Sequence, residues 1–348
     1  MARVVLLSVT PGDDRTAYNL APARALRDSA LADRFRQHQL TDDPDAADLI
    51  LFAEFYGAGF HFELIRSHPL VRRFRDKCFL FCSNAIVIPF LPGIYASVEK
   101  RWASSRTCGG FYAGVQSNEF TTYTPPRADL PYLFSFIGSI ENAPVRRRLT
   151  EISHPRGVIE NTSAQFAQLL RENMPPNERD DYHRRYADLT KSSKFVLCPR
   201  GIGAATIRLF ETMRMGRVPV ILSDGWVPPE GPSWDEFSIR IREREVDQVA
   251  RILELRENDA VQMGERAHAA WQEWFADDVI FHRAVESCLA IRERRRVPEA
   301  IGRWPVNLQL LRPFHAKRLL RRKYETFRGR SALDLARPAL AANELSTR

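Results

Sequence analysis

The sequence lacks paired cysteines and metal-binding motifs. Its five cysteines, an odd number, stand at positions 78, 82, 108, 198 and 288, and no two of them form a C-x-x-C pair. This arrangement argues against a disulfide framework and against a cysteine zinc site, and it indicates a reducing compartment. The eight histidines show no H-E-x-x-H or similar spacing, so we expect no metal from them either.

The sequence also lacks an apolar run typical of a membrane-spanning helix. The longest stretch without a charged residue lies between Lys77 and Glu99, close to the roughly 20 residues that such a helix needs. Pro89 and Pro92 interrupt it, which predicts two buried strands or a strand and a loop. No separate signal peptide is evident, because residues 4–9 are better used as a first strand. We therefore expect a cytoplasmic protein.

Basic residues are in excess only near the C-terminus. The net charge is +8, yet residues 291–348 carry fifteen Lys or Arg against five Asp or Glu, which leaves about −2 on the rest of the chain. Apolar and aromatic side chains alternate with these charges, so a basic amphipathic helix is predicted. This helix would lie on an anionic membrane surface or hold an acidic polymer; alternatively, it packs its apolar side on the protein and leaves its charges in solvent. Without a nucleic-acid-binding signature, we expect no nucleic acid partner.

Apolar runs alternate with segments of helical period along the chain, which predicts the α/β class. A length of 348 residues suits two domains. A proline-rich stretch over residues 124–131 marks the boundary between them. We predict Rossmann-like domains over residues 1–125 and 126–290, facing each other across a cleft, and a basic, partly helical extension over residues 291–348.

The most informative stretch covers residues 193–224. An apolar run at 195–198 is followed by a turn with two glycines, then by a helical period that ends at Gly216, then by a second apolar run at 218–222. This order predicts a βαβ crossover with parallel strands. Ligands bind outside the carboxyl ends of such strands. The residues placed there are Arg200, Gly201, Gly203, Ser223 and Asp224.

Arg208 and Glu211 add a cation and a carboxylate to this predicted site. They are three residues apart, so they share one helix face. Because a helix N-terminus and nearby glycines favour an anion, the pattern predicts a diphosphate site with an acidic partner. The alternative is a surface ion pair worth about 0.3 to 0.5 kcal/mol. Gly138 offers similar room at the exit of the strand predicted over residues 132–137.

Several motifs bear a family resemblance. K-F-V-L-C-P-R-G, R-L-F-E and G-R-V-P-V-I-L-S-D resemble the donor-binding signature of the exostosin family of glycosyltransferases, and L-F-S-F-I-G-S with Arg146 resembles the strand that opens the same domain. The resemblance covers residues 132–290. It implies a GT-B fold and an inverting transfer from a nucleotide sugar, most often linked to UDP. It assigns Arg200 and Arg208 to the diphosphate, Glu211 to the ribose hydroxyls and Asp224 to the neighbourhood of the donor sugar.

Such a site needs no metal, because two guanidinium groups and a helix N-terminus can stabilise the leaving diphosphate. Asp43-Pro44-Asp45 has the D-x-D spacing of a metal-binding motif, but it precedes a strand and is predicted to form a turn. We therefore expect no metal, and no cofactor beyond the nucleotide-sugar co-substrate.

An inverting transfer needs a general base, which should come from the N-terminal half. Glu54 is our candidate, because it ends an apolar run and would point into the crevice. Asp13 and Asp14 follow the first strand in the same sense, and His61 lies in a glycine-containing loop. All of these residues also fit a plain role in a turn or on a solvated surface.

The predicted function is an inverting, metal-independent transfer of a sugar from a UDP-sugar to a glycan or lipid-linked glycan. The enzyme would be cytoplasmic, or peripheral at the inner face of the membrane. One alternative is a GDP-sugar transferase of fucosyltransferase type, because glycine and V-P-V after a helix also occur there. A non-catalytic glycan-binding or scaffold subunit with the same fold is another, and the intact Arg200, Arg208 and Glu211 argue against it.

Overall fold

The structure, a computed structural model, describes residues 1–10, 17–55, 62–85, 87–114, 118–170, 174–302 and 304–309, with eight single positions from 311 to 324. The chain forms two compact units. The first unit comprises residues 1–98, 102–115 and 277–348, and the second comprises residues 99–101 and 116–276.

Each unit contains a sheet of parallel strands made from continuous apolar runs, which is typical of strands covered on both faces. In the described residues, the first sheet has the order β2-β1-β3-β4-β5-β6 and the second has the order β11-β10-β9-β7-β8. The strands are β1 (Ala2–Leu7), β2 (His38–Leu40), β3 (Leu49–Glu54), β4 (Cys78–Cys82), β5 (Gly93–Tyr95), β6 (Thr107–Gly109), β7 (Tyr132–Gly138), β8 (Gly157–Asn161), β9 (Ser193–Pro199), β10 (Val218–Leu222) and β11 (Ile239–Arg240).

Helices connect these strands, as the alternating pattern predicted. The described helices are α1 (Ala21–Ala32), α2 (Glu63–Ser67), α3 (Pro69–Arg73), α4 (Pro144–Leu149), α5 (Ser163–Leu170), α6 (Pro176–Lys191), α7 (Ile207–Arg214), α8 (Trp234–Phe237), α9 (Val249–Leu255), α10 (Ala260–Trp274), α11 (Ile280–Arg294), α12 (Glu299–Gly302) and α13 (Trp304–Gln309). The prediction of the α/β class with two Rossmann-like domains is confirmed.

Prolines set the bounds of two of these helices. Pro69 occupies the first turn of α3 and removes a hydrogen bond that a helix continuous with α2 would need. The polar helix α6 begins at Pro176. Proline favours this start because its fixed φ angle suits the first turn and its missing N–H is not needed there.

The C-terminal part of the chain returns to the first unit, which changes the predicted domain boundaries. The first boundary falls near residue 115 rather than 125, and residues 277–290 leave the second unit. Hydrogen bonds explain this return: the Phe281 amide donates to Ser29 Oγ at 3.0 Å, and Arg34 pairs with Asp278 at 3.0 Å. These contacts join α11 and its approach to α1.

The uncharged stretch after Lys77 forms β4, a loop and β5, as predicted. Among the described residues, none of the helices combines the length and the apolar character that crossing a membrane requires. All five cysteines are buried and free.

A buried ion pair fastens α12 to the first unit. Arg106 Nε lies 3.1 Å from Glu299 Oε2, and Arg106 Nη2 donates to the carbonyl oxygen of Phe90 at 3.0 Å. The Glu299 side chain is 1% exposed, so no water replaces its partner. Removing one charge of such a pair leaves the other buried and uncompensated.

We expect Glu299→Gln to lower the free energy of unfolding by about 3 kcal/mol, because Arg106 loses its buried counterion. Urea denaturation measures this change. Asp45→Asn is the matched control: it breaks the exposed Asp45–Arg73 pair of the same unit and should cost less than about 1 kcal/mol. Equal losses in the two variants would contradict the prediction.

Candidate functional site

The carboxyl ends of β7 and β9 mark the point where the second sheet changes direction. From β7 the chain adds β8 on one side, then returns to place β9 and β10 on the other. In open parallel sheets, ligands bind in the crevice at such a switch point. Gly138 ends β7 there, and Arg200 follows β9. The location predicted for Arg200 is therefore the one that the sheet order favours.

Arg146, from α4, joins the two strand exits. Its Nε donates to the carbonyl oxygen of Arg200 at 2.8 Å, its Nη1 to that of Ser139 at 3.0 Å and its Nη2 to that of Pro199 at 3.3 Å. The residue is 6% exposed. These bonds satisfy backbone carbonyls beyond the sheet hydrogen bonds, so Arg146 holds the rim of the crevice in shape.

Arg208 lies buried beneath this rim, stacked between two aromatic rings. Its guanidinium carbon is 4.6 Å from the centre of the Phe136 ring and 5.7 Å from that of Tyr186, and Nη2 donates to the Ile137 carbonyl. A Cβ atom at Gly138 would collide with this guanidinium, which explains the glycine. Within the described part of the chain, the buried Nε has no hydrogen-bond partner. A buried cationic donor in this state favours an anionic ligand.

Glu211 lies one turn further along α7, and Tyr186 holds its carboxylate. The Tyr186 hydroxyl donates to Glu211 Oε2 at 2.6 Å. Burial raises the pKa of Glu211, while the Tyr186 hydrogen bond and the Arg208 charge act in the opposite direction. Burial and the Glu211 charge raise the pKa of Tyr186, so its hydroxyl remains a donor. Since Arg208 is buried, the alternative of a surface Arg–Glu pair does not describe this helix.

Glu243 connects the ends of β9 and β10. It accepts from Arg200 Nε at 2.9 Å and from the Asp224 amide at 3.3 Å, and its own amide donates to Asp224 Oδ1 at 3.2 Å. Asp224 is exposed, whereas Ser223 is buried and donates to the Ala204 carbonyl at 2.7 Å. The residues predicted around this rim therefore do come together.

The glycine turn before α7 lies against Arg146. A Cβ at Gly201 would stand 3.4 Å from Arg146 Nη2, and Gly203 is buried. The helix itself starts at Ile207.

Sequence reasoning missed Tyr186 and Glu243. Both reach the site from segments distant in the chain, and neither belongs to a local motif.

The first sheet has a switch point of its own, between β1 and β3. Glu54 ends β3 at this point, as predicted, but its side chain is fully buried. From the described residues it accepts hydrogen bonds from the Val9 amide at 2.6 Å, from Ser8 Oγ at 3.0 Å and from Thr10 Oγ1 at 3.1 Å. Burial raises the pKa of Glu54 to about 7, although the three donors oppose the shift. Of the other candidates for the base, Asp13, Asp14 and His61 lie outside the described residues.

One group of possible metal ligands occurs among the described residues. Donor atoms of His38, His282 and Glu286 lie within 4.8 Å of one another. His38 Nδ1, however, accepts from the Ala2 amide at 3.2 Å, so in the neutral ring Nε2 carries the proton and faces Glu286 Oε1 at 2.9 Å. This protonation suits a contact between β2 and α11 better than a metal ligand.

The D-x-D sequence forms the expected turn. The Asp45 amide donates to Asp43 Oδ1 at 2.9 Å, and both residues are exposed or partly exposed. The Asp43 carboxylate therefore stabilises a turn, as predicted for this stretch.

The second Rossmann-like unit thus has a crevice that carries both cationic and carboxylate side chains. Residues 116–255 match the family model of the Exostosin GT47 domain. The chain is 34% identical over 89 residues to the Exostosin-1 homolog of Caenorhabditis elegans, covering 25% of this chain and 23% of that protein. It is 30% identical over 152 residues to ribitol-5-phosphate xylosyltransferase 1 of Danio rerio, covering 40% of this chain and 34% of that protein. Over residues 116–255, the chain is therefore similar to the exostosin glycosyltransferases.

A solved structure is also similar. The crystal structure of HepE from Anabaena in complex with UDP superimposes with a TM-score of 0.42 and 10% identity, covering 83% of this chain and 100% of that chain. The matched segments span about a third or less of these two curated relatives.

We expect Glu54→Gln to change how stability depends on pH. The pKa of Glu54 rises from 4.5 to about 7 on folding, so between these pH values the folded protein keeps a proton that the unfolded chain loses. Wild-type stability therefore falls by up to about 3 kcal/mol as pH rises through this window. Glutamine does not titrate, so the Tm of the variant minus that of wild type should increase from pH 4.5 to 7 and then level off. Thermal unfolding in a pH series measures it, and a difference independent of pH would refute the prediction.

Proposed function

We propose that the chain is an inverting, metal-independent glycosyltransferase of GT-B type that moves a sugar from a UDP-sugar to a glycan or lipid-linked glycan. The observation that carries the proposal is the pairing, at one switch point, of a buried guanidinium with an unpartnered N–H and a carboxylate held by a tyrosine. The guanidinium suits a diphosphate and the carboxylate suits a ribose diol.

The Arg208 guanidinium would bind the diphosphate. Displacement of a nucleoside diphosphate from an anomeric carbon builds negative charge on the leaving oxygen, and a fixed cation in a partly dry crevice stabilises that charge. The Phe136 and Tyr186 rings fix the plane of the guanidinium before the ligand arrives. Arg200, held by Glu243, adds positive charge at the rim, and Asp224 would lie near the donor sugar.

Glu211 would accept hydrogen bonds from the ribose hydroxyls. Tyr186 occupies Oε2, which leaves Oε1 for the ligand. A carboxylate suits a nucleotide but would repel free phosphate, so this residue separates a nucleotide site from a general anion site. The preference for UDP over GDP follows from the exostosin resemblance.

Transfer with inversion also needs a proton acceptor. We assign this role to Glu54 in the first unit, because its raised pKa suits proton uptake near neutral pH. No metal is needed for the leaving group, since fixed cations and the N-terminus of α7 provide the compensating charge.

UDP should raise the Tm of the wild-type protein, because a ligand that binds only the folded state stabilises it, by about 2.7 kcal/mol at 100 times Kd. Glu211→Gln and Arg208→Lys should each weaken UDP binding about tenfold, through the loss of one charged hydrogen bond. Isothermal titration measures these affinities. Glu236→Gln and Arg266→Lys alter an exposed pair in the same unit and are the matched controls.

Stabilisation by GDP rather than UDP would favour a GDP-sugar transferase. No stabilisation by either nucleotide would reject a transferase of both kinds.

The C-terminal helices present apolar side chains to solvent, which favours a membrane surface as a partner. Ile301, Trp304, Leu308 and Leu311 recur at spacings of three and four residues and are 58% to 75% exposed. The basic residues Lys317, Arg321 and Lys323 are exposed further along. We propose that this segment places the enzyme at an anionic membrane, where each basic residue contributes about 1 kcal/mol.

Flotation with phosphatidylcholine vesicles, with and without phosphatidylglycerol, tests this proposal. We expect binding to the anionic vesicles only, and its loss when Trp304, Leu308 and Leu311 are all changed to Ser, because the apolar anchor is gone. Leu31→Ser and Leu255→Ser remove leucines that are equally exposed elsewhere and serve as controls. Equal flotation of the triple variant and wild type would contradict the proposal.

A further inference from the structure

The first unit carries a polar cluster at its own switch point. Within the first sheet, β2 pairs with one edge of β1 and β3 with the other. The crevice therefore lies between the carboxyl ends of β1 and β3. Ser8 and Thr10 follow β1, and Glu54 ends β3 beside them. Glu54 is thus a fully buried carboxyl group at the edge of the sheet where ligands bind in this kind of fold.

Glu54 does not reach a substrate directly, because its side chain has no exposed surface. Its Oε1 accepts from the Val9 amide, and its Oε2 accepts from the hydroxyls of Ser8 and Thr10. Thr10 is itself buried, at 6% exposure, whereas Ser8 is partly exposed. Among the donors that the structure describes around this carboxyl, Ser8 therefore provides the side-chain route to the crevice.

The hydrogen bonds of Ser8 already have the direction that proton transfer needs. Ser8 Oγ donates to Glu54 Oε2 at 3.0 Å and accepts from the Thr10 amide at 3.1 Å. A hydroxyl oxygen accepts up to two hydrogen bonds, so the partly exposed Ser8 Oγ can accept one more. A sugar hydroxyl or a water molecule could donate to it.

We propose that Ser8 is a catalytic residue that receives the proton of the attacking hydroxyl and passes its own proton to Glu54. This inference rests on the proposed glycosyl transfer. As the acceptor oxygen forms its bond to the anomeric carbon, the bond to the diphosphate oxygen breaks and the nucleotide leaves with the electron pair. The acceptor proton moves to Ser8 Oγ, and the Ser8 proton moves to Glu54 Oε2. The neutral Glu54 then returns a proton through Ser8 to water.

The surroundings of Glu54 suit this role. On the neighbouring strand β4, the titratable group that faces it is Cys82, its partner in the sheet register. Burial raises the pKa of Cys82 to about 12, so the thiol is neutral near pH 7. Because the pKa of Glu54 is about 7, the carboxylate is present above that pH and can take up a proton.

The test uses the full chain and release of UDP from UDP-glucose, UDP-xylose, UDP-N-acetylglucosamine and UDP-glucuronic acid. Water and methyl glycosides serve as acceptors, and the donor that turns over fastest is taken forward. We expect Ser8→Ala and Glu54→Gln each to lower kcat about 100-fold, the scale of general base catalysis. The Kd for UDP should stay within about twofold of wild type in both variants, because neither side chain belongs to the proposed nucleotide site. The loss of kcat then reports proton transfer.

Thr10→Val is the matched control for Ser8→Ala. Each change removes one hydroxyl donor from Glu54 Oε2, but Thr10 is buried and offers no route to the crevice. We expect Thr10→Val to keep most of kcat and to move the acid limb of kcat/KM to higher pH, because the lost hydrogen bond had lowered the pKa of Glu54. Ser8→Thr keeps a hydroxyl and should restore most of the rate.

The pH profiles separate a relay from a structural role. Wild type should show an acid limb near pH 7 that is absent from the residual activity of Ser8→Ala and Glu54→Gln. Equal losses of kcat in Ser8→Ala and Thr10→Val would show that Ser8 only holds the carboxylate, and full activity of Ser8→Ala would remove it from the reaction; either result overturns the relay. Failure of wild type to bind UDP or to release it from any donor would instead reject the proposed function itself.

Discussion

The carbonyl oxygens where β7 and β9 end need hydrogen-bond partners, and the proposed donor site depends on how they are satisfied. Where β7 and β9 separate from their ladder, Arg146 donates to the carbonyls of Ser139, Pro199 and Arg200. A single buried guanidinium thus spaces the two strand exits. The Arg208 guanidinium fits beneath them only because Gly138 has no side chain. Loss of that spacing would move the cation away from the glycine turn that precedes α7.

Each sheet has a switch point, and the buried charged groups there have opposite sign in the two units. At the switch point of the second sheet, the buried Arg208 Nε has no hydrogen-bond partner among the described residues, which favours an anion. At the switch point of the first sheet, a buried carboxyl collects three donors and has a raised pKa. The first arrangement suits a leaving group that gains negative charge, and the second suits a hydroxyl that loses a proton. Both arrangements agree with the proposed transfer.

The segment after residue 276 has a part that packs into the first unit and a part that is exposed to solvent. Its first part completes the first unit, since α11 hydrogen-bonds to α1 and Glu299 neutralises the buried Arg106. Its later part presents Ile301, Trp304, Leu308 and Leu311 to solvent. Glu299 and these exposed side chains both lie in the extension predicted over residues 291–348, so that extension contains a structural contact as well as an exposed surface.

The sequence by itself determined what depends on near neighbours. Apolar runs and glycine turns predicted the parallel strands, and a spacing of three placed Arg208 and Glu211 on one helix face. Only the tertiary structure decided which charges meet. Tyr186 reaches Glu211 across 25 residues, Glu243 reaches Arg200 across 43, and Ser8 reaches Glu54 across 46. Periodicity is local, because it reflects backbone geometry, whereas burial and hydrogen bonding at a strand exit depend on the order in which distant strands join the sheet.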